Sequence, residues 1–264
     1  MSTAGPDEAP EGVEFSVDGS VALIRIARPA RLNALDAAAS ARLNEIVDRL
    51  ESDERLRAGI LTGAGERAFC VGADLTSPAP STTTRSTGAG AIVRFVRRAR
   101  SKPLIAAVNG LAYGGGFELV LACDMAVAVP HAAFALPEAL RGTVAVGGGA
   151  LRLARTVPPA IARHILLTGE PIDAAQAERW GVVNEVVEPA RLLSAARALA
   201  DRACQAAPRS VSATLAIVRA GVDLPEEQAW AVNIAMADEV RLSEDAREGR
   251  RAFVEKRAPR WTGR

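Results

Sequence analysis

Asn109-Gly110-Leu111-Ala112-Tyr113-Gly114-Gly115-Gly116-Phe117-Glu118 is the stretch from which this chain is best read. An apolar run, Pro103 to Val108, leads into it and has the composition of a buried strand. A helical stretch, Glu118 to Cys123, leads out. A strand therefore ends, three glycines turn the chain, and a helix starts with a carboxylate in its first turn. Glycines let main-chain N–H groups approach a ligand with no Cβ in the way. A helix N-terminus adds partial positive charge at the same point. The pair suits a site that holds a developing negative charge beside an acid/base group.

The flanking sequence extends this pattern. Val13–Val17 and Val21–Ile26 read as strands joined by Asp18-Gly19-Ser20, a hairpin signal. Asp36 is placed to cap a helix running to about Glu51. Ala58–Leu61 reads as a buried strand broken by Thr62-Gly63-Ala64-Gly65, and Phe69–Leu75 is a second apolar bend with a glycine. Ser77–Gly90, rich in Ser, Thr, Pro and Gly, is a candidate lid, with a helix expected over about Ala91–Arg100. Met125–Val129 is another buried strand. Alternating strands and helices predict an α/β fold with parallel βαβ units. From Pro158 onward helices dominate: Pro158–Leu167, Asp173–Trp180, Pro189–Ala206, Pro208–Ala220, Pro225–Arg241 and Glu244–Lys256, with Val182–Val187 the one strand expected there. These divisions predict a disordered tail over residues 1–12, a core over 13–200 and a helical C-terminal region over 201–264. The Ala-rich helices need a packing partner, for which a neighbouring subunit is a candidate.

Bulk properties narrow the function classes. The 264 residues fit one large domain, and 49% of them are hydrophobic, enough for a sizeable core. Thirty-two basic residues against 31 acidic ones leave a formal net charge of +1, so nothing calls for a nucleic-acid or polyanion partner. The basic stretch from Arg247 to Arg264 leaves two readings open, a solvated helix face or a site for a phosphorylated ligand. Cys70, Cys123 and Cys204 have no metal or redox spacing, and His131 and His164 stand far apart, so no metal site is expected. No apolar run approaches the roughly 20 residues of a membrane span, and the start of the chain lacks a signal-peptide pattern. A cytoplasmic protein is the expectation.

Three segments converge on one chemistry: Phe69-Cys70-Val71-Gly72-Ala73-Asp74-Leu75, Gly114-Gly115-Gly116-Phe117-Glu118, and Phe134-Ala135-Leu136-Pro137-Glu138, where Glu138 follows a proline suited to a helix start. With Arg31-Leu32-Asn33-Ala34-Leu35, Leu121-Ala122-Cys123-Asp124, Leu167-Thr168-Gly169, Trp180-Gly181-Val182-Val183-Asn184 and Ala252-Phe253 through Trp261, the chain resembles the crotonase, or enoyl-CoA hydratase/isomerase, family from about Val13 to Arg260. The resemblance implies a spiral of repeated ββα units with a C-terminal helical trimerisation region, assembling as a homotrimer or homohexamer.

It also implies site residues. Main-chain N–H groups of Ala73 and Gly115 would bind the thioester oxygen of an acyl-CoA. Asp74, Leu75 and Thr76 would lie along that ligand, Asn33, Ala34 and Leu35 near its pantetheine or adenine end, and Phe253 and Lys256 would touch coenzyme A from a neighbouring subunit. Glu118 would take a proton from water and Glu138 would protonate the α-carbon, hydrating a trans-2-enoyl-CoA to a 3-hydroxyacyl-CoA. Coenzyme A would be part of the substrate, with no separate cofactor. An enoyl-CoA isomerase using Glu138 alone, and a catalytically quiet acyl-CoA-binding protein, are the competing readings. One departure stands out: Ala145-Val146 replaces the family's usual Pro-Gly pair, which puts a branched side chain where the water site or acyl pocket is expected. Cys70 has no histidine near it in sequence and is not expected to act as a nucleophile.

Overall fold

The computed structural model describes residues 12–76 and 88–264. Residues 1–11 and residues 77–87 of the expected lid lie outside them. Gly12, placed in the tail by the sequence, opens the first strand. Strands β1 (Gly12–Asp18) and β2 (Val21–Ala27) form an antiparallel hairpin whose closing pair is Asp18 and Val21, with Gly19 at φ 59 in the turn. The Asp36 carboxylate then accepts the Ala39 N–H at 2.8 Å and starts α1 (Ala37–Ser52), whose face Ala39, Leu43, Ile46, Val47 and Leu50 is buried.

The next elements repeat a pattern. β3 (Ala58–Gly63) is followed by β4 (Ala68–Cys70) and α2 (Gly88–Arg97). Next come β5 (Leu104–Val108), β6 (Leu111–Tyr113) and α3 (Gly115–Ala122). β7 (Met125–Ala128) and β8 (Ala133–Ala135) follow, then a 3-10 turn over Pro137–Arg141. In each repeat the first strand joins one sheet and the second joins another. Thus β3, β5 and β7 stack in parallel within a six-stranded sheet, and β4, β6 and β8 within a four-stranded one. This is the ββα spiral. β3 and β5 are buried along their whole length, which is why they read as unbroken apolar runs.

The C-terminal half is mostly helical: α4 (Gly149–Thr156), α5 (Pro159–Thr168), β9 (Ile172–Asp173), α6 (Ala174–Arg179), β10 (Glu185–Val186), α7 (Leu192–Cys204), α8 (Pro208–Asp223), α9 (Glu226–Leu242) and α10 (Glu244–Glu255). α7 packs on β3, β5 and β7, whereas α8 and α9 pack chiefly on each other. Several boundaries differ from those expected. The strand predicted over Val182–Val187 shrinks to β10, because the Val182 and Val183 amides both turn back to the Ala177 carbonyl. α2 runs over Gly88–Arg97 and not to Arg100; the Ser101 amide and hydroxyl bond Glu51 at 2.9 and 2.6 Å and draw the chain away. β4, β6, β8 and β9, the entire second sheet, were not expected.

Candidate active site

Two bends come together where the sheets hand the chain to α2 and α3. In the first, Gly72 sits at φ +92, outside the range of ordinary side chains. Leu35 N–H donates to Gly72 O at 2.8 Å and Asp74 N–H donates to Leu35 O at 2.9 Å. Main-chain groups alternate along an extended segment, so the Ala73 N–H between them points the other way. In the second bend Gly114, at φ 54, donates its N–H to Ala135 O at 2.8 Å, and Gly115 opens α3. An N–H in a helix's first turn has no partner within the helix.

The bends touch. Ala73 N lies 3.9 Å from the point where a Cβ on Gly115 would stand, and Gly115 N lies 2.9 Å from the corresponding point on Gly72. A Cβ on Gly116 would fall 1.9 Å from Cys70 O, so the approach of α3 to β4 requires glycine there. Among the described residues neither the Ala73 nor the Gly115 N–H donates to a protein acceptor. Two main-chain donors are left over side by side, the arrangement that binds an oxyanion.

The surroundings hold the first bend rigid. Asn33, fully buried at φ 57, accepts the Arg28 N–H and donates to Ala64 O and Ala68 O at 2.9 and 2.7 Å. Asn109 accepts the Gly63 N–H at 3.0 Å and donates to Gly65 O and Ala68 O. Asp74 accepts from the Thr76 amide and hydroxyl at 3.0 and 2.7 Å and pairs with Arg28 at 3.2 Å. Those contacts, the Thr76 hydroxyl first, hold the Asp74 carboxyl down at about 2. Arg28 also pairs with Asp36 at 2.7 Å, tying the α1 cap to the bend. The Asn33 side chain is thus spent inside the protein, and Ala34 and Leu35 are buried behind the bend. Leu75 and Thr76 are exposed beside it. Phe253 and Lys256 lie exposed at the end of α10, which packs on α9. Cys70 is buried, its thiol pushed up to about 12 by burial, and cannot serve as a thiolate at neutral pH.

Both glutamates meet the second bend. Glu118, 3% exposed in the first turn of α3, accepts the Gly149 N–H at 2.8 Å. Burial raises its pKa, the Gly149 bond opposes this, and the charge of Glu138 raises it further. Glu138 Oε1 lies 3.2 Å from where a Cβ on Gly114 would stand. Glu138 Oε2 is buried with no hydrogen-bond partner, and burial raises this carboxyl too. Two partly desolvated carboxyls beside two unused amides have the chemistry that acid/base catalysis next to an oxyanion would need.

The sequence model of the enoyl-CoA hydratase/isomerase family matches residues 16–264. This chain belongs to that family. A protein from Proteus mirabilis named carnitinyl-CoA dehydratase is 42% identical over 96% of this chain and 99% of its own length. The crystal structure of an enoyl-CoA hydratase from Mycobacterium tuberculosis superposes with TM-score 0.89 at 40% identity, covering 97% of this chain and all of that one. An enoyl-CoA hydratase from Bacillus anthracis gives TM-score 0.91 at 30% identity, covering 96% and 100%.

Three features of this family member escaped the sequence reading. Gly147 is needed because a Cβ there would fall 2.3 Å from Glu118 Oε2. Ile92 Cδ1, on α2, closes the far side of Gly115, standing 2.9 Å from its would-be Cβ. Arg152 bonds Val96 O and, at 3.4 Å, Gly147 O, strapping α2 to the glycine loop behind Glu118. The glycine run was the only sequence signal for any of them. Val146 is 57% exposed and lines a groove on the outer side of the loop. Among the described residues no cluster of His, Cys, Asp and Glu could hold a metal ion, and no helix is long and apolar enough to cross a membrane.

Proposed function

We propose that this protein adds water across the 2,3 double bond of a trans-2-enoyl-CoA and removes it from the 3-hydroxyacyl-CoA. The carrying observation is the juxtaposition of two unbonded amides, Ala73 and Gly115, with two carboxyls of raised pKa. The thioester oxygen accepts both N–H groups. Glu118, as carboxylate, takes a proton from water as the oxygen attacks C3. The electron pair moves through C2 onto the thioester as an enolate, which the amides stabilise; one such donor is worth about 3–4 kcal/mol in the transition state. Glu138 then delivers its proton to C2, on the same face. Its unpartnered Oε2 suits a group that must hold a proton before it gives one up. The thioester is the electron sink, so the scheme calls for no metal or redox cofactor. Self-association into trimers or hexamers belongs to the same proposal: α9 buries no residue and exposes Trp230 and Ile234, leaving a face for another copy.

A second reading within the same chemistry is dehydration of carnitinyl-CoA, supported by the 42% identity to proteins so named. Crotonyl-CoA, mixed with the pure protein, should lose its conjugated absorbance. Reaction of 3-enoyl-CoA alone would select the isomerase, and thioester binding without turnover the quiet binder. Carnitinyl-CoA losing water faster than 3-hydroxybutyryl-CoA would select the second reading.

A further inference from the structure

On the outer side of the glycine loop, α2, α4 and α8 enclose a groove of about 810 Å³. Six arginines line it, against the carboxylates of Asp124 and Asp223. Three of the six are paired: Arg98 with Asp48 from outside the groove, Arg100 with Asp124 at 3.2 Å, and Arg155 with Asp223 at 2.6 Å. Arg97 and Arg219 have no hydrogen-bond or ion-pair partner among the described residues. Arg152 meets only carbonyl oxygens. Arg100 is 6% exposed, and its Nε is buried without a partner. Burial, and then the neighbouring Arg100 charge, press the Arg152 guanidinium down from its ordinary range. Arg152 and Arg219, with no carboxylate partner in a partly dry groove, are costly there unless an anion joins them.

The rest of the groove is apolar. Leu151, Val218 and Val222 are each more than half exposed along it, and Leu121 and Leu215 continue the wall. An apolar wall beside planar guanidinium forks fits one ligand class, because a carboxylate matches the fork and an aliphatic chain matches the wall. We propose that this groove binds an aliphatic carboxylate, its head group between Arg100, Arg152 and Arg219 and its chain along Val218 and Val222. The site is separate from the thioester cleft, with the Gly147 main chain between the groove and Glu118.

Calorimetric titration of the full chain with octanoate tests this, using acetate and octan-1-ol as controls. Octanoate should bind saturably, and Arg219→Gln should weaken it by about tenfold. Acetate and octan-1-ol should each bind about tenfold more weakly than octanoate, since each lacks one half of the match. Arg219→Lys, which keeps the charge but loses the planar fork, carries the same comparison if Arg219→Gln does not fold. Absence of saturable binding, or octanoate binding that neither substitution alters, would overturn the proposal. So would acetate or octan-1-ol binding as tightly as octanoate. None of these readouts depends on enzymatic turnover, so a failure here leaves the hydratase reading standing.

Discussion

The glycine bend that carries Glu118 and the 3-10 turn that carries Glu138 present the same chemical group from different supports. Glu118 is in the first turn of a helix, is 3% exposed, and is gripped by the Gly149 N–H with Gly147 close against its carboxyl. Glu138 stands on a five-residue turn, and one of its oxygens meets no donor at all. Amides that donate to a carboxylate favour its charged form, while desolvation without donors favours the proton. The contrast supports the proposed division: the carboxyl that accepts the Gly149 N–H is suited to be the base, and the one with an oxygen that meets no donor is suited to be the acid.

The largest effects should come from breaking that division. Glu118→Gln and Glu138→Gln should each slow hydration of crotonyl-CoA by about 10²–10⁴-fold while binding of the thioester is retained. The two variants should then part company. Exchange of the α-protons of a saturated acyl-CoA with deuterium, followed by NMR, needs only the group that addresses C2. It should survive in Glu118→Gln and vanish in Glu138→Gln. The opposite pattern would exchange the two roles. Next in size is Gly147→Ala. Its Cβ would fall 2.3 Å from Glu118 Oε2 and must push that carboxyl out of line. A displacement of this kind costs about 10²-fold in kcat, with KM little changed. Full activity in Gly147→Ala would show that the grip on Glu118 is not what makes it the base.

How much of this was readable beforehand varies with length and burial. β3, β5 and β7 were visible because both of their faces are covered and they read as apolar runs. The second sheet was not, since β4, β6 and β8 are three residues each and β9 two, too short for alternation to register. α3 was expected to begin at Glu118 but begins at Gly115. Glycine's poor helix propensity hid the turn whose bare amides matter most. Arg152 and Ile92 carry no spacing signal, because their roles arise only when α2 and α4 pack against the bends. The glutamates stood out as residues near glycine and proline, yet their pairing came from resemblance and their unequal support only from coordinates.

The smallest effect sharpens the comparison through stability. The Glu118 carboxyl is raised by burial, so the folded state favours its protonated form. That contribution is complete below the unfolded value of about 4.3 and is lost as pH rises through the folded value. At neutral pH the wild-type protein therefore carries the cost of a buried charge, and an uncharged amide does not. Gln at 118 keeps an oxygen to accept the Gly149 N–H, so Glu118→Gln should unfold at a higher temperature than wild type by about 2–4 °C near pH 7. The gain should fade toward about pH 4, where the wild-type carboxyl is itself neutral. Glu138→Gln should show the same trend more weakly, because Glu138 is less buried and its amide would leave an N–H unpaired. Each charge raises the cost of the other, so the double variant should gain less than the sum of the two. Thermal unfolding followed across that pH range measures all three. A gain from Glu118→Gln that does not change with pH would mean that this carboxyl binds its proton equally well in the folded and unfolded chain, and that burial does not tune it.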